Sequence, residues 1–381
     1  MGYGLHKHKM RSGVLLPKSK THPLIGHDFF DGLKYAIDHT EEMELFTANI
    51  GFGINKDLLY QEAERLWLEK QVDLLIVFAD FPVVEALFPL AESLNKLLVV
   101  VNVGAKFPNN WTAPRSVIFL TLNEWLNAFI TGRVAASVSN KAIFASSFYD
   151  GGYAIGQSIV DGLLYENGII EYNFIGKHQI ADFDIKPLLE FLDHNQDVTN
   201  ILTVLSGELA GSFLAQLNLK GDAEYFLWAS QVFLYELLKT NSFHEQDIRG
   251  FISWFPELEN EYNLKFQTKF KENNRREVSL FSLLGWESGL LLLALKDKIK
   301  EGAGACISRI TERGLSTPRG YIKLDAETHQ FIGNAYLVRF KDGKFEFFQD
   351  RTVSQEENLT MVKKAIPALP QTGWLNTYLC S

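Results

Sequence analysis

Four apolar runs, VDLLIVFA (72–79), KLLVVVNVGA (96–105), KAIFASS (141–147) and NILTVLSG (200–207), each stand beside segments of helical period. A strand that reads as a run rather than as an alternation is buried on both faces, which is the condition of a parallel sheet covered by helices on either side. Parallel neighbours need long crossovers, and helices supply them. The rest of the chain fits this β-α alternation. SGVLLP (12–17) leads through a polar loop to the amphipathic FFDGLKYAIDHTE (29–41), and ELFTANIGFG (44–53) leads to the helix DLLYQEAERLWLEK (57–70). Helices are also predicted over PVVEALFPLAESLNK (82–96) and NEWLNAFITGRVAASVS (123–139).

A second set of units begins near residue 141, with helices around 158–168, 185–195, 209–221 and 231–240 and strands at EYNFIGKH (171–178) and AEYFLWAS (223–230). RGFISWFPELEN (249–260), with Pro256 and a mixed pattern, reads as a connection. A long helix follows at 280–301, and VRFKDGKFEFFQD (338–350) carries an Asp-Gly hairpin signal. The fold class is therefore α/β: 381 residues in two Rossmann-like lobes with parallel sheets. Neither a 20- to 50-residue repeat nor a low-complexity linker separates the halves, which favours strand-like crossovers over a flexible tether.

Composition excludes several functions. A net charge of -9 opposes nucleic-acid or anionic-lipid binding, and KENNRR (271–276) reads as a solvated helix face or loop. Cys306 and Cys380 give neither a disulfide framework nor metal spacing. No apolar run reaches the ~18 residues of a membrane span. The start, MGYGLHKHKMRSG, lacks the apolar core of a secretory signal, which is absent or removed; His6 and His8 there read as a frayed polar terminus. Phosphate-loop, nucleophile-elbow, zincin and dinucleotide-binding motifs are missing, so no catalytic residues and no cofactor are expected.

In open α/β sheets, ligands meet the loops at the carboxyl ends of the strands. That rule selects residues 18–21 with Ser19, 79–81 with Asp80 and Phe81, 103–106 with Gly104, Ala105 and Lys106, 148–153 with Tyr149 and Tyr153, 206–208 with Ser206, and 228–230 with Trp228. The glycines at 151–152 would let backbone approach a ligand beside Tyr149. Asp80 also suits an N-cap for a helix starting at Phe81-Pro82, and Ser206 a helix cap.

The chain resembles the type I periplasmic binding proteins, the leucine/isoleucine/valine- and amide-binding-like solute receptors of ABC transporters. The resemblance rests on GVLLPKSKTHPLIGHDFFDGLKYAID, VDLLIVFADFPVVEALFPLAESLNKLLVVVN, the NEW segment, ASSFYDGGYAIGQSIVDGL, GFISWFPELEN and STPRGYIKLDAETHQFIGNAYLVRF, in that order over about residues 12–350. It implies two lobes joined by three crossovers, near 117–122, 249–254 and 323–328. The N-terminal lobe would comprise 10–118 plus 253–324, the C-terminal lobe 119–252 plus 325–365, and a tail 366–381. It adds Trp254 and Trp286 to the ligand-binding residues and implies a small-molecule ligand captured by hinge closure, an ABC permease or a sensor partner, and a periplasmic location with its signal trimmed, a cytoplasmic one being the alternative. A monomer is expected, with a dimer as the alternative. Two rival functions are a receptor signalling to a partner and a hydrolase using Ser206; only about a dozen residues precede the first strand, too few for the DNA-binding module of the family's repressor branch. The loops ADFP (79–82) and NVGAK (102–106) lack the hydroxyls that hold a ligand carboxylate in amino-acid binders. Asp80 opposes a carboxylate unless Lys106 offsets it, which favours a ligand with an amine, amide or hydroxyl.

Overall fold

The computed structural model describes residues 9–38, 42–106, 112–218, 225–238, 247–341 and 343–365. The expectations for His6, His8, Cys380 and the tail at 366–381 lie outside them. Two sheets organise the chain. The first holds β1 (Met10–Leu16), β2 (Met43–Asn49), β3 (Leu74–Phe78), β4 (Leu97–Asn102) and β5 (Val117–Thr121) in the order β2-β1-β3-β4-β5, all parallel. The second begins with β6 (Lys141–Ser147), β7 (Ile169–Gly176), β8 (Asn200–Val204), β9 (Phe226–Ala229) and β10 (Asp247–Ile252). A small sheet of β11 (Leu315–Thr317), β12 (Gly320–Leu324) and β13 (Phe331–Ile332) precedes the last pair, β14 (Tyr336–Lys341) and β15 (Lys344–Phe347). The second sheet runs β7-β6-β8-β9-β10-β14-β15, so its five parallel strands repeat the first sheet's winding and β14 adds an antiparallel edge through β10.

The helices are α1 (Ile25–Ile37), α2 (Lys56–Glu64), α3 (Phe88–Leu94), α4 (Glu124–Val138), α5 (Ala154–Tyr165), α6 (Lys186–His194), α7 (Glu208–Asn218), α8 (Gln231–Leu237), α9 (Glu261–Asn274), α10 (Leu280–Leu295), α11 (Ala303–Arg313) and α12 (Gln355–Ala365). None among the described residues is long and apolar enough to cross a membrane. β3, β4, β5 and β8 are buried at every position, as the apolar runs at three of the four require. Two helix pairs cross with their backbones in contact. In α1 and α10, a methyl at Gly32 would meet the Ser282 carbonyl and one at Gly285 the Phe29 carbonyl. The α4–α5 crossing repeats the device, Gly132 against Ile159 and Gly162 against Phe129.

The segment 249–252, expected as a connection, is instead the end of β10, an interior strand with neighbours on both sides. Its Arg249 and Gly250 broke the apolar run that marks the other central strands. The helix expected to start at Phe81-Pro82 begins with a 3-10 turn at Val83–Leu87 before α3. Asp80 therefore does not cap a helix N-terminus: its Oδ1 accepts the N–H of the next residue, Phe81, at 2.8 Å.

The chain leaves the first sheet after β5, enters the second at α4, returns after β10, and re-enters the second sheet at β14. β13 still belongs with the first sheet, since Gln330 bridges Phe119, so the last passage follows Ile332. Two asparagines tie these passages together. Asn123 Nδ2 donates to the Phe331 carbonyl at 2.8 Å, and Asn127 Nδ2 lies within 3.2 Å of the Leu122 carbonyl, Gln231 Oε1 and Ser253 Oγ. Buried amides satisfied by backbone across three segments hold those segments in register.

Candidate functional site

An order of the type β2-β1-β3 reverses direction on either side of its first strand, and the crevice for a ligand opens there, beyond the carboxyl ends. Here that rule points to the loops after β1 and β3 on one lobe and to the loops after β6 and β8 on the other.

On the second lobe the crevice is fixed by Asp150. Its carboxylate accepts from Ser147 Oγ at 2.7 Å, from Ser206 Oγ at 2.6 Å and from the Ser206 N–H at 3.2 Å, which stitches the two loops. Burial pushes the Asp150 carboxyl up, against the pull of those hydrogen bonds. The Ser206 hydroxyl thus serves a carboxylate, not an imidazole. Beside it the Tyr153 hydroxyl donates to the Tyr149 hydroxyl at 2.6 Å, the rings meeting edge to face at 5.3 Å. Tyr149 is half-buried and Tyr153 buried.

On the first lobe Ser19 Oγ accepts the His22 N–H at 3.1 Å and so shapes the turn that sets the His22 ring against Phe281, at 5.3 Å. Gly104 lies at φ +72, where only glycine is unstrained, and a methyl there would come within 2.7 Å of the Asn123 nitrogen. That close approach brings the β4 loop, with buried Ala105, onto the start of α4. The Glu124 N–H donates to the Val103 carbonyl and the Trp125 N–H to Gly104.

Glu124 is wholly buried by this arrangement. Its Oε1 accepts the Val232 N–H from α8 at 3.0 Å, while Oε2 is buried with no hydrogen-bond partner among the described residues. Burial pushes its carboxyl up to about 8; the Val232 N–H lowers it and the Asp80 charge raises it. Lys106 Nζ is likewise buried with no partner among the described residues, its pKa lowered by burial against the attraction of Asp80. Gln231 Oε1 accepts from Asn127 and from the Ser253 N–H at 3.0 Å, but its Nε2 is a third buried atom without a partner. Such atoms are uncommon in folded proteins and cost free energy until something pairs with them.

Because the Glu124 pKa is raised above its unfolded value near 4.5, its contribution to stability is complete below that value and is lost as pH rises through about 8. Lys106, shifted down, acts in the opposite sense. The expected result is a melting temperature that falls between about pH 5 and pH 8 more steeply in the native protein than in E124Q, with the two curves running parallel above pH 8; curves parallel over the whole range would contradict the assignment.

A cavity of about 630 Å³ opens between the lobes, walled by the β1–α1 loop and the start of α10 on one side and by Tyr235, Glu236 and Leu238 on the other. Its lining is mainly apolar, with His22 and Phe281 among the walls. The volume lies within the range of sites that enclose a small organic molecule.

Four residues selected from the sequence are packed away instead. Phe81 is buried, stacked on Phe119 at 5.3 Å with Phe88 at its edge. Trp228 Nε1 donates to Asn200 at 3.0 Å and Trp254 Nε1 to Asn263 at 2.9 Å, so both indoles have their polar end satisfied inside the core. Trp286 is buried against Phe266. Conversely, Glu124, Gln231, His22, Tyr235 and Phe281 were not selected. The one signal for Glu124 was a carboxylate in the first turn of a helix, which ordinarily reads as a dipole partner.

The comparisons with known proteins agree with this architecture. The model of a periplasmic binding protein family matches residues 13–344. No curated protein matches the chain. A solute-binding protein of an ABC transporter from Rhodopseudomonas palustris BisB5, in complex with 3,4-dihydroxybenzoic acid, superposes with a TM-score of 0.69 at 17% identity over 91% of this chain and 98% of its own. An ABC transporter substrate-binding protein from Sphaerobacter thermophilus gives 0.76 at 14%, over 92% and 99%. A branched-chain amino acid ABC transporter periplasmic ligand-binding protein from Burkholderia xenovorans LB400 gives 0.73 at 12%, over 92% and 96%.

Proposed function

The chain belongs to the type I periplasmic binding protein family, and on that footing we propose that it is an extracytoplasmic receptor that closes its lobes on a small amino-acid-like, amide or aromatic ligand and delivers it to an ABC permease. The observation that carries this reading is the group of buried, unpartnered polar atoms where the lobes meet: Lys106 Nζ, Glu124 Oε2 and Gln231 Nε2. They come from both sides of the first crossover, and both Lys106 and Glu124 feel the charge of Asp80. A protein that keeps such atoms gives up stability for a ligand that can satisfy them. The adjoining apolar cavity suits the body of an aromatic or branched aliphatic molecule. The ligand spectrum of the similar structures, dihydroxybenzoate in one and branched-chain amino acid transport in another, spans the same two chemistries. Tyr149 and Tyr153 would form the opposite lip, with Ser19, Gly104, Ala105 and Ser206 setting the loops in place.

A thermal-shift screen of amino acids, amides, aromatic acids and amines tests the reading, since a ligand at a hundred times its Kd adds about 2.7 kcal/mol to stability. In Lys106→Met a thioether replaces a buried ammonium of similar length. The unliganded protein is expected to melt at the same or a higher temperature, and the ligand-induced shift to shrink by at least half. A normal shift in this variant and in Tyr149→Ala would place the ligand elsewhere.

A further inference from the structure

Four carboxyl groups stand in the wall of the 630 Å³ cavity, and among the described residues no lysine or arginine does. Asp28, in the first turn of α1, and Glu277, just before α10, lie on one side; Glu236, near the end of α8, lies on the other, with Glu257 on the segment after β10. His22 and Tyr235 are the remaining titratable groups of the wall, and the Tyr235 hydroxyl is committed to the Trp254 carbonyl. Three cations act on these groups without lining the cavity. Arg276 is shared between Asp28 and Asp31 at 2.9 and 3.0 Å, Lys271 pairs with the exposed Glu277 at 2.7 Å, and Lys344 attracts Glu257. Glu236 has a further carboxylate near it, since its charge acts on Asp150.

Asp28 is buried, yet only one of its oxygens is hydrogen-bonded. Oδ2 accepts from Ser279 Oγ at 3.0 Å, while Oδ1, 2.9 Å from Arg276 Nη1, has no hydrogen-bond partner among the described residues. An ion pair out of line for a hydrogen bond leaves a buried oxygen able to accept one from a ligand. The carboxylates do not converge on a point: no group of three or more His, Cys, Asp or Glu among the described residues could hold a metal ion. The cation they suit is therefore an extended one, with an apolar body beside Phe281 and Tyr235, since aromatic rings attract positive charge over their faces. An anion finds no comparable partner. The N-termini of α1 and α10, each worth about half a positive charge, open on the same cavity. Asp28 occupies the first turn of one, and the Ser279–Ser282 capping box closes the other.

Resting on the solute-binding reading above, we propose that the ligand of this cavity is an organic cation, an amine or quaternary ammonium compound with an apolar or aromatic body, and that its charge is what favours closure. Asp28 and Glu277 on one wall and Glu236 on the other repel each other across an empty cavity. A cation between them reverses the sign of that interaction. A neutral molecule of the same shape gains apolar contact alone, and an anion meets like charge from both sides.

The test titrates the full chain by calorimetry with three probes of one shape, 2-phenylethylamine, 2-phenylethanol and 3-phenylpropionate, at about pH 7, where the amine is a cation and the acid an anion. In about 0.05 M salt the amine is expected to bind about tenfold more tightly than the alcohol, and the acid more weakly than either; in about 0.5 M salt the amine's advantage should shrink to about threefold. Glu236→Gln and Glu257→Gln should each cut the amine-to-alcohol ratio by about threefold and leave the affinity for the alcohol unchanged, a pattern that a merely structural effect does not produce. Glu257 is exposed, so its variant keeps the fold even where the buried Glu236 does not tolerate the change. Any compound of the wider screen that stabilises the protein should likewise carry net positive charge. A best ligand that is neutral or anionic, equal affinity for amine and alcohol at low salt, or a ratio unmoved in both variants would overturn the cation assignment and leave the solute-binding reading intact. If no probe and no compound of the wider screen binds, both fall together.

Discussion

Replacing Arg319 by Met while Glu287 stays in place is expected to cost about 3–5 kcal/mol of folding stability, the largest loss from any single charge removal considered for this chain. Both side chains are essentially inaccessible, at 1% and 0% exposure. Arg319 Nε donates to both oxygens of Glu287, at 2.8 and 3.2 Å, and Nη2 to Oε2 at 2.9 Å, a fork that fits the carboxylate plane. Glu287 belongs to α10, and Arg319 lies between β11 and β12, so the pair fastens the small sheet to the first lobe. The Arg319 carbonyl also accepts the Tyr336 hydroxyl at 2.8 Å, which joins the pair to the start of β14. Removing the guanidinium strands a carboxylate in the core, where it must ionise at high cost or take up a proton. The pair itself need not be favourable, because two desolvated charges repay little beyond their own burial. The double variant R319M/E287L should therefore recover most of the loss. Urea unfolding midpoints of the two variants and the native protein measure both effects, and a single variant within 1 kcal/mol of the native protein would contradict the assignment.

Gly285→Ala should also be clearly destabilising, at a net cost of about 2 kcal/mol. A methyl at this position runs into the Phe29 carbonyl, and its next nearest atoms, at 2.7 and 3.0 Å, are also Phe29 backbone. Backbone cannot rotate away as a side chain can, so the helices must separate, at about 3 kcal/mol. Alanine gains about 1 kcal/mol over glycine in a helix interior, and the clash outweighs it by about 2 kcal/mol. Gly304 in α11 is the control: nothing lies within 4 Å of a methyl there, so G304A should be neutral or stabilising. Thermal unfolding of the two variants separates crowding from helix propensity, and equal shifts would refute the crowding account.

How much of this could be seen in the sequence depended on what each element must hide. β3, β4, β6 and β8 were legible because a strand covered on both faces has no polar side to interrupt it. β10 is as central in its sheet, yet Arg249 faces Asp247 and the Phe226 and Phe348 rings, and this one charged side chain erased its signature. The loops of the crevice followed from topology, and Tyr149, Tyr153, Asp80 and Lys106 lie on them. Which aromatic on such a loop turns outward did not follow, since Trp228 and Trp254 have the same local context whether their N–H meets a ligand or an asparagine of the core. Glu124 and Gln231 were hidden for a different reason. A polar residue opening a helix looks like a surface cap, and only the packing of the β4 loop onto α4 shows that this one has lost its water.

The shared strand order of the two sheets also bears on how a bound molecule is oriented. The loop after β3 corresponds in winding to the loop after β8, and the loop after β1 to that after β6. Had the corresponding loops kept like side chains, a ligand could enter either way round with equal energy. They have not: one half offers Asp80 and Lys106, the other a tyrosine pair and a serine already committed to Asp150. On the reading proposed above, a molecule held between them would be read in a single direction, charged end to the first lobe and flat or hydroxylated end to the second. Such a receptor tells head from tail before it tells one side chain from another.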